Sequence, residues 1–215
     1  KKRKNTLKTK ALIISIAMLL GACGSTEPPT VRWFTQKKVD QFDDTSSCRV
    51  TVGSLYYANG TVLTYTNNFY PFVETIDGDL RVGVLSGGQV QVPVGNIQLR
   101  IDSNDAWSIE TQETPVDYVP SSSTVDMAPY MASMTAEQKA QYQATFENSM
   151  ENATKIMSPY TAVSGEKARM ILSQMLNGYN LIYRRVGFNQ AASSTGEYKL
   201  DSSFRNALTD CGIAI

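Results

Sequence analysis

Residues 72–84 read FVETIDGDLRVGV, and this stretch decides the class of fold. The pair Asp77-Gly78 is typical of a tight hairpin turn between two strands. After the turn, Leu80, Val82 and Val84 share one face, because successive side chains of a strand point in opposite directions. The stretch therefore predicts two antiparallel strands with one apolar face.

The same alternation continues on both sides of this hairpin, from Cys48 to Ile109. Val50 and Val52 alternate with polar neighbours, and Asn59-Gly60 marks another tight turn. Further strand-like segments are TVLTYT (61–66), QVQVPV (89–94), IQLRI (97–101) and AWSIE (106–110). We predict an antiparallel sheet of about six or seven strands over residues 48–110. The period does not distinguish an open sheet from a sandwich or a barrel-like closure.

Residues 111–134 contain three prolines and a serine run and show no sustained period, which predicts a linker. Linkers of this length often carry function. The candidate partner-contacting side chains in it are Tyr118, Met127, Tyr130 and Met131. The alternative is that these side chains pack the linker onto the sheet.

The remainder, residues 135–215, has mainly helical periods. Thr135 and Gln138 have the spacing of a capping box, and apolar side chains then recur every three or four residues from Tyr142 to Met157. The segments that follow are a helix over 164–178, strands over 179–186 and 197–201, and a last helix over 202–212. The apolar faces of the helices fit against the sheet. We therefore predict a single α+β domain over 48–215, preceded by a tether over 23–47.

The first ten residues carry six basic side chains and no acidic one, and an uncharged run from Ala11 to Leu20 follows. This is the layout of a secretory signal, and the run is about half the length that a membrane-spanning helix needs. The next stretch, Leu20-Gly21-Ala22-Cys23, resembles the lipobox of bacterial lipoproteins. The resemblance implies removal of residues 1–22 and lipidation of Cys23. With Gly24 and not aspartate after that cysteine, it also implies the periplasmic face of the outer membrane.

Charge and cysteine usage agree with export. The whole chain has 20 basic and 20 acidic residues, and removal of residues 1–22 takes away six basic ones, which leaves 14 against 20, a net charge of −6. We therefore expect no nucleic-acid partner, since such a partner would need clustered basic side chains. The two remaining cysteines, Cys48 and Cys211, predict a disulfide in an oxidising compartment. The rival interpretation, a catalytic thiol, lacks an activating histidine, because the chain contains none.

The C-terminal part adds a second resemblance. A helix, the motif G..LIYR (178–184), a short strand and SFRNALTDCG (203–212) follow one another. This order resembles periplasmic modules of the invasion-associated locus B type. The resemblance covers about a quarter of the chain and implies an envelope location without assigning site residues.

Three motifs suggest chemistry, and each has a structural alternative. Ser164 and Lys167 have the serine-x-x-lysine spacing of penicillin-recognising enzymes, although Ser164 also suits a helix N-cap. The acidic turns 102–105 and 77–79 offer oxygen ligands for calcium, but turns use the same residues for their own backbone bonds. Strand-borne acids could form the pair that glycoside hydrolysis needs. These acids are Glu74, Asp77, Asp79, Asp102 and Glu110.

Together these patterns predict a lipid-anchored envelope protein that binds another envelope protein or the cell wall. We expect no catalytic residue, no metal site and no cofactor. Two alternatives stay open. One is a cell-wall glycan hydrolase with paired carboxylates, and the other is a lipoprotein that neutralises a toxin.

Overall fold

The computed structural model describes residues 32–52, 69–87, 91–117, 131–187 and 195–213. Within these ranges the chain forms nine strands, three α-helices and one turn of 3-10 helix at Thr111–Glu113. The strands are β1 (Phe34–Val39), β2 (Ser46–Thr51), β3 (Phe69–Ile76), β4 (Asp79–Ser86), β5 (Asn96–Ile101), β6 (Trp107–Ile109), β7 (Tyr160–Ser164), β8 (Asn180–Val186) and β9 (Thr195–Lys199). The helices are α1 (Ala136–Ile156), α2 (Gly165–Asn177) and α3 (Ser202–Asp210).

The strands form two open antiparallel sheets. The five-stranded sheet has the order β1-β2-β3-β4-β7, and the four-stranded sheet has the order β6-β5-β8-β9. The hairpin predicted from residues 72–84 is confirmed: β3 pairs with β4, and Asp77 and Gly78 between them have φ angles of 49° and 92°. The α+β class is confirmed as well.

One hydrophobic cluster joins both sheets to α2 and α3. It contains Val50, Val73 and Val82 of the first sheet and Ile97 and Leu99 of the second. The inward faces predicted for the two helices are confirmed. Their buried residues are Ala168, Ile171, Leu172 and Met175 in α2, and Phe204, Ala207 and Leu208 in α3.

Helix α1 does not follow the prediction that its apolar stripe packs on the sheet. Its capping box is present, with Gln138 N donating to Thr135 Oγ1 and Thr135 N donating to Gln138 Oε1, but none of its residues is buried. Tyr142 is 40% exposed. About one apolar residue per turn makes a stripe too narrow to anchor a helix, since a core-facing helix carries a stripe about 100° wide. None of the three described helices is both long enough and apolar enough to cross a bilayer.

The strand prediction needs three corrections. Strand β1 lies inside the predicted tether 23–47, and β7 was not predicted. Residues 91–94 of QVQVPV form no strand, because Pro93 cannot donate to a ladder and Val94 N donates to Ser158 O instead. The described part of 48–110 contains five strands, and because part of this range is not described, the predicted count of six or seven stays a prediction. The segment 61–66 lies outside the described residues.

Trp33 ties the first described residues to the C-terminal part of the compact unit Arg32–Ile215. Its backbone N donates to Ser203 Oγ at 3.1 Å, and its indole Nε1 donates to the carbonyl of Lys199 at 2.7 Å. The indole also packs on Phe204, with 4.7 Å between the ring centroids. The chain therefore enters the domain at α3, about 15 residues before the predicted boundary at Cys48.

Candidate binding site

The face of the five-stranded sheet that points away from the hydrophobic cluster carries three charged side chains side by side. Arg49 of β2 is paired with Glu74 of β3, and Glu74 is paired with Arg81 of β4. We call these three residues the charged row. They alternate along their strands with Val50, Val73 and Val82, which face the core, so the two-residue period of a strand places all three on the opposite face.

Glu74 is the most enclosed member of the charged row. It is only 4% exposed, and its Oε1 lies 2.8 Å from Arg49 Nη2. The guanidinium of Arg49 lies 5.2 Å from the ring centroid of Phe72. Burial raises the pKa of the Glu74 carboxyl, and the charges of Arg49 and Arg81 offset this effect only in part.

Arg81 binds a carboxylate that comes from outside the sheet. Its Nη1 lies 2.7 Å from Asp117 Oδ2, and its Nη2 lies 2.5 Å from Asp117 Oδ1, which is the bidentate arrangement of a strong ion pair. Burial would lower the pKa of Arg81, but the bond to Asp117 raises it above its usual value. Likewise burial would raise the pKa of Asp117, whereas the hydrogen bonds from Arg81 and Tyr160 lower it.

Tyr160 of β7 completes this group. Its hydroxyl lies 2.9 Å from Asp117 Oδ2 and 3.1 Å from the carbonyl oxygen of Pro115, so it can donate to either. Burial and the negative charge of Asp117 raise the pKa of Tyr160 to about 12. The hydroxyl therefore keeps its proton at neutral pH and acts as a donor to the carboxylate.

Residues 114–117, which we call the cover segment, lie over this face of the sheet. Thr114 is 2% exposed, and its Oγ1 accepts a hydrogen bond from Ala162 N at 3.4 Å. Immediately before the segment, Lys167 Nζ lies 2.6 Å from Glu113 Oε1. The cover segment is thus held at its start by a threonine and at its end by the Arg81–Asp117 pair.

A cleft of about 470 Å³ opens beside the cover segment. Asp117 and Tyr160 line one part of it, and Lys155 and Met157 line the part that belongs to the end of α1. The Lys155 ammonium lies 2.8 Å from Glu151 Oε1. The cleft therefore combines apolar walls with a bonded carboxylate and a bonded ammonium, a composition typical of binding sites.

Among the described residues, two buried nitrogen atoms in this region have no hydrogen-bond partner, namely Arg49 Nε and Arg81 Nε. Most buried polar atoms in proteins are paired with a protein group or an ordered water. Both belong to the charged row.

The structure joins Cys48 and Cys211 in a disulfide, as predicted, with their Cα atoms 5.5 Å apart. Of the predicted partner-contacting residues, only Met131 lies within the described ranges. Its side chain is half-buried, and its carbonyl oxygen accepts from Met134 N at 3.1 Å. Outside the described residues lie Cys23, Tyr118, Met127 and Tyr130.

Two of the other acidic candidates bind backbone nitrogen atoms at turns. Asp77 Oδ1 accepts from Ser46 N at 3.0 Å, and Asp102 accepts from the backbone N of Tyr179 and Asn180. Within the described ranges no group of three or more histidine, cysteine, aspartate or glutamate side chains could hold a metal ion. The structure therefore brings only Glu74, of the predicted acids, into the charged row.

Both residues of the serine-x-x-lysine motif lie at the start of α2. Lys167 Nζ donates to the carbonyl oxygen of Ser108 at 2.7 Å and to Glu113. Ser164 occupies the predicted N-cap position of α2, although its side chain makes no capping hydrogen bond. The lysine is thus bonded to the 3-10 turn and the strand before it.

A scan against models of protein families, a search of curated proteins and a search of solved structures each gave no match. The chemistry of the site therefore has to follow from its own residues. A guanidinium and a tyrosine hydroxyl that hold one carboxylate are suited to recognising an anion. Neither Glu74 nor Asp117 is a free acid, because each is bonded to an arginine.

Replacement of Glu74 by glutamine is expected to change how stability depends on pH. Because the pKa of Glu74 is higher in the folded than in the unfolded chain, the native state binds this proton more tightly. The wild type should therefore lose stability, relative to Glu74→Gln, as the pH rises from about 4.5 through the folded pKa. Urea unfolding at several pH values measures this difference. The exposed strand residue Glu197 provides a matched control, and parallel profiles for wild type and Glu74→Gln would contradict the prediction.

Proposed function

We propose that this chain is a lipid-anchored protein of the bacterial cell envelope that acts by binding at the periplasmic face of the outer membrane. The observation that carries this proposal is the Cys48–Cys211 disulfide. Disulfides persist in oxidising compartments such as the periplasm and are rare in the cytosol. The signal-like N-terminus and the lipobox resemblance at Cys23 support the same compartment and supply the anchor.

Binding is favoured over hydrolysis by the state of the charged groups. Glycoside hydrolysis needs two carboxyl groups that face a sugar across a cleft about 5 to 10 Å apart. Glu74 is bonded to Arg49 and 4% exposed, so a sugar ring cannot reach it without opening the sheet face. Asp117 is bonded to both Arg81 and Tyr160. The proposed role is therefore a contact with another envelope component.

Replacement of Cys23 by serine is expected to release the protein from the membrane fraction, since the anchor would have no attachment point. Fractionation of cells followed by immunoblotting measures the distribution. A matched control changes the other two cysteines together, Cys48→Ser and Cys211→Ser, which should leave the protein sedimenting with membranes. Unchanged sedimentation of Cys23→Ser with the membrane fraction would contradict the lipoprotein proposal.

The binding role is tested by crosslinking in intact cells, with the lipidated protein as bait and Cys23→Ser as the comparison. A single envelope protein enriched only with the lipidated bait is the expected result. Recovery of cell-wall glycan fragments with cleaved ends would contradict a purely binding role and favour hydrolysis.

A further inference from the structure

Asp117 neutralises the positive charge of Arg81 from the side that faces the solvent. Arg81 lies on β4, with a side chain only 9% exposed, whereas the side chain of Asp117 is 44% exposed. Glu74, its neighbour on β3, is bonded to Arg49. The sheet therefore presents a fixed guanidinium whose carboxylate partner lies at the surface of the protein.

The donors around this carboxylate converge as they do in recognition sites for anions. Two nitrogen atoms of Arg81 and the hydroxyl of Tyr160 bind the two oxygens of Asp117. A planar guanidinium binds a carboxylate through two such parallel hydrogen bonds, and an adjacent hydroxyl adds a third donor that makes the geometry of binding more specific. Both donors are carried by strands, β4 and β7, which are paired with each other. Only the acceptor is carried by a loop.

The cleft supplies room next to these donors. Asp117 and Tyr160 both line it, together with apolar side chains that include Val116, Met157 and Pro159. Its volume of about 470 Å³ falls within the range of small-ligand sites. A ligand that placed a carboxylate on Arg81 could therefore lay an apolar body along the cleft.

We propose that Arg81 and Tyr160 form a subsite for a peptide carboxylate, which Asp117 occupies from within the same chain until a partner's carboxylate replaces it. The partner's group is a chain terminus or an acidic side chain, since both present the same two oxygens. This inference names the ligand chemistry of the proposed binding function and rests on it, but its test does not depend on membrane attachment.

Occupation by Asp117 has a measurable consequence. A group tethered beside its site competes at an effective concentration in the millimolar range, so a free carboxylate binds the wild type more weakly than it binds a chain without Asp117. Asp117→Ala should therefore bind carboxylate probes at least about ten times more tightly than the wild type does.

The experiment uses the full chain in detergent and titrates three small probes by calorimetry. N-acetylalanine represents a chain terminus, the α-amide of N-acetylglutamate represents an acidic side chain, and N-acetylalaninamide is the uncharged control. The expected result is binding of one or both acids to Asp117→Ala, no binding of the amide, and loss of acid binding when Arg81→Gln is added. Equal behaviour of acid and amide, or binding that survives Arg81→Gln, overturns the proposal.

A second measurement avoids dependence on the fold of Asp117→Ala. In the wild type labelled with ¹³C at the tyrosine Cζ atoms, the signal of Tyr160 is assigned by its absence from Tyr160→Phe. High concentrations of an acid probe should shift that signal, and the amide should not. An unshifted signal with both acids contradicts the proposed subsite, whereas membrane fractionation of Cys23→Ser independently tests the anchor.

Discussion

Loss of the Cys48–Cys211 disulfide is expected to lower the free energy of unfolding by about 2 to 5 kcal/mol. The bond joins β2 to the residue that caps α3, and 163 positions separate the two cysteines. The entropy of closing so long a loop accounts for about 5 kcal/mol, and residual structure in the unfolded chain reduces this figure. Denaturant unfolding of Cys48→Ala/Cys211→Ala against the wild type measures the difference.

The background for this comparison is Cys23→Ala, which removes the third thiol from every sample. Under denaturing, non-reducing conditions this background should show no reactive thiol. Removal of the disulfide should speed amide hydrogen exchange mainly in α3 and in the β1–β2 hairpin, which α3 contacts. An unchanged unfolding midpoint, or two reactive thiols in the background protein, would contradict the prediction.

Replacement of Arg49 by alanine is expected to destabilise the protein by about 3 to 5 kcal/mol at neutral pH. The change leaves the buried carboxylate of Glu74 without its ion-pair partner, and an uncompensated buried charge is costly. The loss should become smaller as the pH falls toward about 4.5, because protonation of Glu74 removes the charge. Denaturant unfolding at two pH values measures both effects.

Two variants show whether the charge is responsible. Arg184 is an exposed strand arginine, and Arg184→Ala should change stability by no more than about 0.5 kcal/mol. The double variant Arg49→Leu/Glu74→Leu removes both charges and should recover most of the stability lost by Arg49→Ala, since apolar pairs can replace buried ion pairs. If the double variant were as unstable as Arg49→Ala, the loss would have to come from packing on Phe72 instead.

The fold could be predicted where apolar side chains alternate along a strand or recur every three to four residues along a helix. The β3–β4 hairpin and the buried faces of α2 and α3 follow from local periods of two and 3.6. Strand β1, with the sequence FTQKKV, carries half-buried and exposed side chains at a sheet edge, so it lacks an apolar face that could reveal it. Strand β7 has three buried residues in a row, and α2 begins directly after it. A short apolar run of this kind does not distinguish a strand from the first turn of a helix.

The candidate site was less predictable than the fold. Glu74 could be recognised as a strand-borne acid, but its partners Arg49 and Arg81 become neighbours only through strand pairing. Asp117 lies in a stretch without period, and nothing in the sequence links it to a residue 36 positions earlier. Tyr160 could have been placed on the same sheet face as Arg81 only if β7 had been recognised. The fold elements follow from local sequence patterns. The candidate site depends on pairing between distant residues, which local patterns do not encode.

The disulfide also determines how the molecule would respond to mechanical force. When the two ends of the chain are pulled apart, tension passes through the Cys48–Cys211 bond and bypasses the 163 positions between them. At about 3.3 to 3.6 Å per residue, more than roughly 500 Å of extended chain stays out of the load path. A pull on the N-terminal side of β1 would peel this strand away and then stop at Cys48 of β2, so the strand pairing of the charged row, which begins at Arg49, would stay out of the load path.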